Sequence, residues 1–176
     1  SKLGELLGYR YQASGKVVAY VTRKWKPISL SGNFILKIRD CMPDSLSPST
    51  FVRFAIWDNG SSFGEFGEPI RMSHFLNCFY TKNLASRGSK LLSQNFTDRP
   101  VDVLKQHVGA VPSGTDLKGY ELGVNLRENS LLKWNHLTKV ALVKKGEIVD
   151  VFASGKGIYI SMKGMALENG VEGGIV

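Results

Sequence analysis

The amino-acid sequence predicts a mainly β protein, a single antiparallel domain of β-sandwich or jelly-roll type with one or two short helices. About seven segments alternate between apolar and polar residues or are rich in β-branched and aromatic residues, as is typical of strands. Glycine, proline and serine separate these segments as turn signals. The length of 176 residues and the hydrophobic fraction of 43% fit one domain, 1–176, with flexible ends expected at 1–12 and 165–176.

The first elements predicted are a short helix or arm and then three strands. Leu3, Leu6 and Leu7 have helical spacing, although Gly4 and Gly8 weaken the helix prediction. Three further segments are β-branched or alternate in polarity, which indicates strands: 16–22, 33–39 and 51–57.

The middle of the chain is more polar and less regular. Residues 60–69 are rich in glycine and serine and are predicted to form a loop. Residues 70–80 fit a helix or a strand, and a helix is favoured. Residues 82–99 are predicted to be an exposed excursion, followed by a helix at 101–108 that Asp98 caps.

The C-terminal part is predicted to contain several strands. Their residues alternate in polarity or are β-branched, and the segments are 119–126, 137–143, 148–152 and 158–162. Residues 145–147 are expected to turn the second of these strands into the third as a hairpin. Gly155-Lys156-Gly157 is interpreted as another hairpin turn.

The charge of the chain favours an anionic partner. Lysine and arginine total 23 against 15 acidic residues, a formal charge of +8, which suits nucleic acid, an acidic membrane surface or an acidic protein. Apolar runs are too short for a membrane-spanning helix, and the start of the chain does not resemble a signal peptide. Cys41 and Cys78 are expected to be reduced and buried, which suggests a reducing compartment.

No motif for catalysis, a metal or a cofactor stands out. His74, His107 and His136 share no metal-ligand spacing with each other or with the cysteines. The glycines near residue 64 lack the Gly-Lys-Ser/Thr that grips a phosphate, and no Gly-x-Ser-x-Gly elbow is present. The sequence therefore predicts a protein that is not an enzyme, with no metal site and no cofactor.

Three groups of basic residues are the candidate binding site. The first basic cluster is Arg23, Lys24, Trp25 and Lys26; the second is Lys82, Arg87 and Lys90; the third is Lys139, Lys144 and Lys145. Cations beside an aromatic ring suit single-stranded nucleic acid, because phosphates need charge and unstacked bases need a flat apolar surface. The alternative is that Trp25 belongs to the core and its neighbours form a solvated sheet edge.

The order of segments resembles the thirty-kilodalton superfamily of plant-virus movement proteins. In that family a Pro-Asp turn precedes an apolar strand that ends in Asp, and Pro43, Asp44 and Asp58 match this pattern. The segments Phe79-Tyr80-Thr81 and Asn95-Phe96-Thr97 look like further landmarks of the family. Asp58 departs from the family in leading into Asn-Gly without a basic residue two positions on.

This resemblance implies a function and a location. It implies a jelly-roll-like protein that binds single-stranded nucleic acid cooperatively, self-associates and supports cell-to-cell transport of a viral genome, with Asp58 as a structural acceptor. The chain also resembles matrix proteins of negative-strand RNA viruses, which bind the nucleocapsid and anionic membranes, and a coat protein is a third alternative. The implied location is the host-cell cytoplasm with membrane association, at plasmodesmata for a movement protein or in the virion for a matrix or coat protein.

Overall fold

A computed structural model describes residues 1–26 and 28–174 of the chain. Pro27, beside the first basic cluster, lies outside the described residues, as do Ile175 and Val176 of the C-terminal end. The described residues form one α-helix, α1 (Lys2–Arg10), and two 3-10 helices (Ser93–Asn95 and Trp134–His136). They also form nine strands: β1 (Lys16–Val21), β2 (Phe34–Met42), β3 (Ser49–Asp58), β4 (Ser61–Thr81), β5 (Phe96–Asp102), β6 (Tyr120–Leu122), β7 (Leu137–Lys139), β8 (Ile148–Gly155) and β9 (Ile158–Met165).

The long strand β4 organises the main sheet. This sheet has five antiparallel strands in the order β1-β4-β3-β2, and β5 also pairs with β4. The first part of β4 pairs with β3, its middle with β1 and its end with β5. Two further two-stranded antiparallel sheets join β6 to β7 and β8 to β9. The predicted mainly β, antiparallel fold class is therefore confirmed.

The loop predicted at 60–69 and the helix predicted at 70–80 are both wrong, because β4 runs through both segments. Ile70 and Met72 are fully buried, whereas Arg71 between them is exposed. This period of two is that of a strand. The sequence of residues 70–80 is ambiguous because they lie in the second half of β4, which pairs with β1 and β5. This half is buried on both faces, so its residues alternate less clearly in polarity.

Gly67 and Pro69 suggested a loop, yet each fits β4 for a steric reason. A Cβ on Gly67 would lie 2.8 Å from the ring of Phe51, so the missing side chain lets that ring lie across the strand. Pro69 lies just beyond the end of β1, and its carbonyl accepts hydrogen bonds from the backbone N–H and the hydroxyl of Thr22. Because Pro69 has no N–H, the ladder between β1 and β4 lacks only one hydrogen bond, at its end.

The helix predicted at 101–108 is also wrong. Asp98, its expected cap, lies within β5 opposite Phe79. The strand ends at Asp102, whose carboxylate accepts a hydrogen bond from the Leu104 N–H at 3.0 Å. An Asx turn of this kind uses the same residue types as a helix cap, which explains the mistaken prediction.

We expect Asp102 to make the stability of the fold sensitive to acid. Burial opposes ionisation, but hydrogen bonds from Ser73 and from the N–H groups of Leu104 and His74, helped by Lys105, lower the pKa of Asp102 below its ordinary value. The carboxylate therefore stabilises the fold above about pH 4, and this contribution is lost as the pH falls through the lower pKa of the folded state.

The Asp102→Asn variant isolates this charge. The difference in free energy of unfolding between the wild type and the variant should be largest near neutral pH and should shrink below about pH 4. Urea unfolding of both proteins over a pH series measures it. A difference that does not change with pH would contradict this role of the charge.

The C-terminal strands pair differently from the prediction. The hairpin expected between 137–143 and 148–152 is wrong, because β7 pairs with β6 and β8 pairs with β9. The turn expected at 155–157 is confirmed: Lys156 and Gly157 connect β8 to β9 with φ of +46° and +82°. Two central residues with positive φ are typical of a tight hairpin turn.

The core has two main parts. The first lies between α1 and the main sheet and includes the fully buried Leu7, Val52 and Ile70. The second lies beyond the end of β4 and includes Val111 and Leu132. Neither of these two clusters includes a residue of β8 or β9.

Two glycines of α1 give a matched pair of stability predictions. A Cβ on Gly4 would lie 2.6 Å from the Val17 carbonyl oxygen, so Gly4→Ala forces the helix away from β1 and should lower the free energy of unfolding by about 1–3 kcal/mol. A Cβ on Gly8 would meet Val17 Cγ2 at 3.5 Å, an ordinary contact. Gly8→Ala should therefore raise the free energy of unfolding by about 0.5–1 kcal/mol. Urea titration of both variants tests the opposite signs, and a loss of stability in both would contradict the steric argument.

Candidate functional site

The first basic cluster lies immediately after β1. Its three cations are exposed, whereas Trp25 is half-buried. The Trp25 ring stacks on Phe54 with 5.8 Å between centroids and lies 4.8 Å from the ring of Phe66. Trp25 thus packs on the first core cluster, which is the arrangement that the alternative interpretation of the sequence described.

One residue of the second basic cluster and one of the third lie on either side of β6. Lys90 forms a β-bridge with Glu121, and Lys139 pairs with Tyr120 from the other side of the strand. Lys144 and Lys145 lie in the turn before β8, where their N–H groups donate to the side chains of Glu147 and Asn169. The first cluster belongs instead to the main sheet, at the end of β1. The assignment of these residues to nucleic acid remains untested by the geometry.

The residues of the Pro-Asp motif contact the chain's own side chains. Asp44 forms an ion pair with Arg10 of α1, with 3.1 Å between Nη2 and Oδ1. The Pro43 carbonyl accepts a hydrogen bond from the Tyr11 hydroxyl at 3.4 Å. These contacts join the helix to the connection between β2 and β3. A second ion pair links Arg39 and Glu65, and among the described residues neither pair includes a member of the basic clusters.

Asp58 holds the segment before β2 against the end of β3. Its carboxylate accepts hydrogen bonds from the Ser31 hydroxyl and from the Ser31 N–H, the latter at 3.0 Å. These bonds, the hydroxyl first, lower the pKa of Asp58. The carboxylate therefore bonds a residue distant in sequence as well as the N–H of the adjacent Asn59.

The described residues contain neither a metal-binding cluster nor a long apolar helix. Within 1–26 and 28–174, no three histidine, cysteine or carboxylate side chains are grouped closely enough to share a metal ion. No helix in these ranges is long and apolar enough to cross a membrane. His74 instead bonds the Ser14 carbonyl oxygen through Nε2, and His136 accepts from the Lys133 N–H through Nδ1.

An open cavity of about 840 Å³ lies where β1, β4 and the segment 112–114 approach one another. Tyr20 and Phe75 contribute to its mainly apolar lining, and Lys16 is its one charged lining residue. Its lining contains no carboxylate, histidine or cysteine.

The β8–β9 hairpin presents an apolar face to solvent. Residues directly opposite each other in an antiparallel pair lie on the same face. One face is formed without any polar side chain, by Val149, Val151, Ala153, Gly155, Ile158, Ile160, Met162 and Gly164. Ile158, Ile160 and Met162 are 65%, 55% and 62% exposed. An exposed, contiguous apolar surface of this kind is a candidate site of association.

The opposite face of the hairpin is mixed. Phe152 stacks on Tyr159 at 5.7 Å between centroids, and both rings are exposed. Asp150 and Lys163 lie opposite each other on this face, and Lys156 occupies the turn. The hairpin and the turn before it, residues 144–165, carry four lysines against two carboxylates. The hairpin region thus combines exposed apolar side chains with an excess of lysines over carboxylates.

Sequence reasoning missed this surface although it predicted both strands. A strand with apolar residues at both alternating sets of positions is ordinarily buried on both faces. The signal that could have revealed an exposed pair is the short turn at 156–157 between two apolar strands, with glycines at 164, 170, 173 and 174 after them.

These features define a class of protein: a β-rich protein with an exposed hairpin that carries apolar side chains and lysines. The chain belongs to the family of chaperones for flagella basal body P-ring formation, whose family model matches residues 77–176. The match contains the whole of β5 to β9 and the end of β4. The description of this family names a chaperone.

Three solved structures are similar to the chain. Salmonella FlgA in open form is similar with a TM-score of 0.65 at 15% identity, over 96% of this chain and 77% of that chain. Its closed form gives 0.48 at 15% identity, over 97% and 83%, and FlgA from Thermotoga maritima gives 0.46 at 12%, over 89% and 64%. At these identities the first likeness shows a common fold and nothing more. No curated protein gives a significant match.

The family membership corrects the viral interpretation. The movement, matrix and coat protein hypotheses are wrong, because residues 77–176 match a flagellar chaperone family. The partners predicted on that basis, single-stranded nucleic acid and an anionic membrane, are wrong as well, and the expected self-association loses its basis. The predicted locations in host-cell cytoplasm, plasmodesmata or virion are also wrong for a flagellar protein. Short motifs such as Pro43-Asp44 misled because turns of this kind recur in many β proteins.

Proposed function

We propose that the chain is a non-catalytic chaperone in the formation of the flagellar P ring, and that it binds the P-ring subunit through the exposed β8–β9 hairpin. The observation that carries this proposal is the family match, which spans the whole hairpin. The exposed apolar face of the hairpin supports a binding role, because a chaperone must cover apolar surface that its partner has not yet buried.

The isolation of the hairpin supports a surface that is completed by a partner. A two-stranded hairpin alone is marginally stable in water, and a third strand or a packed face is needed for independent stability. The β8–β9 sheet has two strands among the described residues, and most of its side chains are exposed. A bound partner that covers the hairpin therefore stabilises the hairpin and also covers the partner's own apolar surface.

The size of the hairpin fits transient binding. Eight residues per strand give a length of about 27 Å, so one face covers roughly 300 Å². A stable interface buries about 800 Å² on each partner. One face alone is thus too small to hold a partner permanently, which suits a protein that must release its subunit into a ring.

The charge of the hairpin region defines the chemistry of the partner surface. Lys144, Lys145, Lys156 and Lys163 lie in the hairpin and in the turn before it, and none of them forms an ion pair among the described residues. We expect these lysines to attract acidic residues that flank the apolar segment of the P-ring subunit. The proposed role of these lysines is therefore to bind an acidic protein surface.

Deletion of the gene in the bacterium that encodes the chain tests the function. Cells without it should form few basal bodies with a P ring and should swim poorly, and the restored gene should recover both. Electron microscopy of isolated basal bodies counts the rings, and calorimetry measures binding of the purified P-ring subunit to the chain. Normal rings in the deletion strain, together with no binding to the purified subunit, would refute the proposal.

A further inference from the structure

The free edge of β9 is the part of the hairpin that is best suited to a partner. We infer that an extended segment of the P-ring subunit adds to this edge as a third strand. The inference rests on the proposed function and specifies how the partner is recognised. It follows from the direction of the backbone groups, the distribution of apolar side chains and the charge along β9.

The hydrogen-bond pattern fixes which backbone groups face outward. The N–H of Ala166 donates to the Glu147 carbonyl at 2.9 Å and the Ala166 carbonyl accepts from the Gly146 N–H at 2.8 Å, so both backbone groups of Ala166 face the β8 side. Hydrogen-bonded and non-hydrogen-bonded pairs alternate along an antiparallel ladder. The residues of the apolar face therefore bond across the hairpin, and the N–H and C=O groups of Tyr159, Ser161 and Lys163 point away from β8.

These outward groups are free to bond another chain. Within the described part of the chain, β9 pairs with β8 and with no other strand. An edge of this kind offers a template for a further strand. Natural proteins protect such edges with proline, bulges or charges, yet β9 has no proline, its pairing with β8 has no register shift, and Lys163 is its one charged residue.

The apolar side chains and the charge favour β9 over β8. Five exposed large apolar side chains lie on β9, at Ile158, Tyr159, Ile160, Met162 and Met165, against three on β8. The lysines of the hairpin lie on β9 and in the turn, whereas its one carboxylate, Asp150, lies on β8. A segment with alternating apolar residues and acidic neighbours complements the β9 edge and would be repelled by the carboxylate on β8.

A second copy of this chain is a poorer occupant. Two hairpins packed through one face would bury roughly 300 Å² on each copy, which is too little for a stable dimer and no more than a bound subunit covers. Two β9 edges would also bring Lys156 and Lys163 of both copies together. Strand addition by a P-ring subunit instead satisfies backbone groups, extends both faces and pairs opposite charges.

Amide exchange measured by NMR on the labelled full chain tests the inference. Addition of the purified P-ring subunit should slow exchange at Tyr159, Ser161 and Lys163 by about tenfold or more, because these N–H groups gain acceptors. The outward N–H groups of β8, at Asp150, Phe152 and Ser154, serve as internal controls and should exchange at an unchanged rate.

A matched pair of variants gives an independent test. Ser161→Pro removes an outward N–H of β9 and keeps the bonds to β8, since proline is tolerated at an edge position. It should weaken subunit binding about tenfold, whereas Ser154→Pro, the same change on the β8 edge, should bind as the wild type does. Exchange at the inward amides Ile160 and Met162 checks that both hairpins remain formed.

The outcomes separate this inference from the proposed function. If the subunit does not bind the wild type, the proposed function itself fails. If it binds without protection of the β9 amides and Ser161→Pro binds normally, strand addition alone is overturned. Protection that is present without the subunit and rises with the concentration of the chain would assign the edge to a second copy and would also overturn the inference.

Discussion

Replacement of Ile160 and Met162 by threonine in one variant should weaken binding of the P-ring subunit by about 10- to 100-fold. Both side chains lie on the apolar face of the hairpin and are more than half exposed, so a bound subunit gains by covering them. Threonine keeps a high strand propensity, and the change therefore removes apolar surface without unfolding β9. Calorimetry with the purified subunit measures the loss.

The fold of this variant should be unaffected. Exposed side chains contribute little to the free energy of unfolding, so the urea midpoint should stay close to that of the wild type. Leu84→Thr is a matched control, because Leu84 is 74% exposed but lies in the loop after β4. Equal binding by the hairpin variant and the Leu84 variant would show that the subunit does not depend on this face.

The strands that follow a simple alternation were predictable, and the long central strand was not. β2 over most of its length, and β3 as far as Phe54, alternate between buried or half-buried and more exposed positions, as single-faced strands do. β4 instead contains Gly64, Gly67 and Pro69, which are local signals for a loop. Tertiary contacts override these local signals. The ring of Phe51 occupies the space over Gly67, and the pairing of β4 with β1 ends at Ile70, next to Pro69. Neither neighbour is adjacent in the sequence.

The candidate site was predictable as strands but not as a surface. Residues 148–152 and 158–162 carry the β-branched and aromatic residues of strands, and 155–157 carries the turn. Exposure is not encoded in that pattern, because an apolar strand of a core has the same composition. The positive charge pointed to an anionic partner in general terms, and it is the family match that overturns the prediction of nucleic acid.

Thr81→Val should lower the free energy of unfolding by about 2–4 kcal/mol, although it changes neither the volume nor the shape of the side chain appreciably. Thr81 ends β4 and is 1% exposed. Its hydroxyl donates to the Arg127 carbonyl at 2.6 Å and accepts from the Ser130 N–H at 2.9 Å. Valine removes both of these part-buried bonds at a residue that is itself buried, and each group left without a partner costs about 1–3 kcal/mol.

The position of Thr81 makes this loss more than local. Its own N–H donates to Ser130 and its carbonyl accepts from Asn129, so one residue fastens the turn at 127–130 to the end of the central strand. Thr81→Ser keeps the hydroxyl and removes one methyl group, so it should cost only about 1 kcal/mol. Urea unfolding should therefore rank the wild type above serine and serine above valine. A valine variant as stable as the serine variant would mean that packing, rather than the hydroxyl, holds this turn on β4.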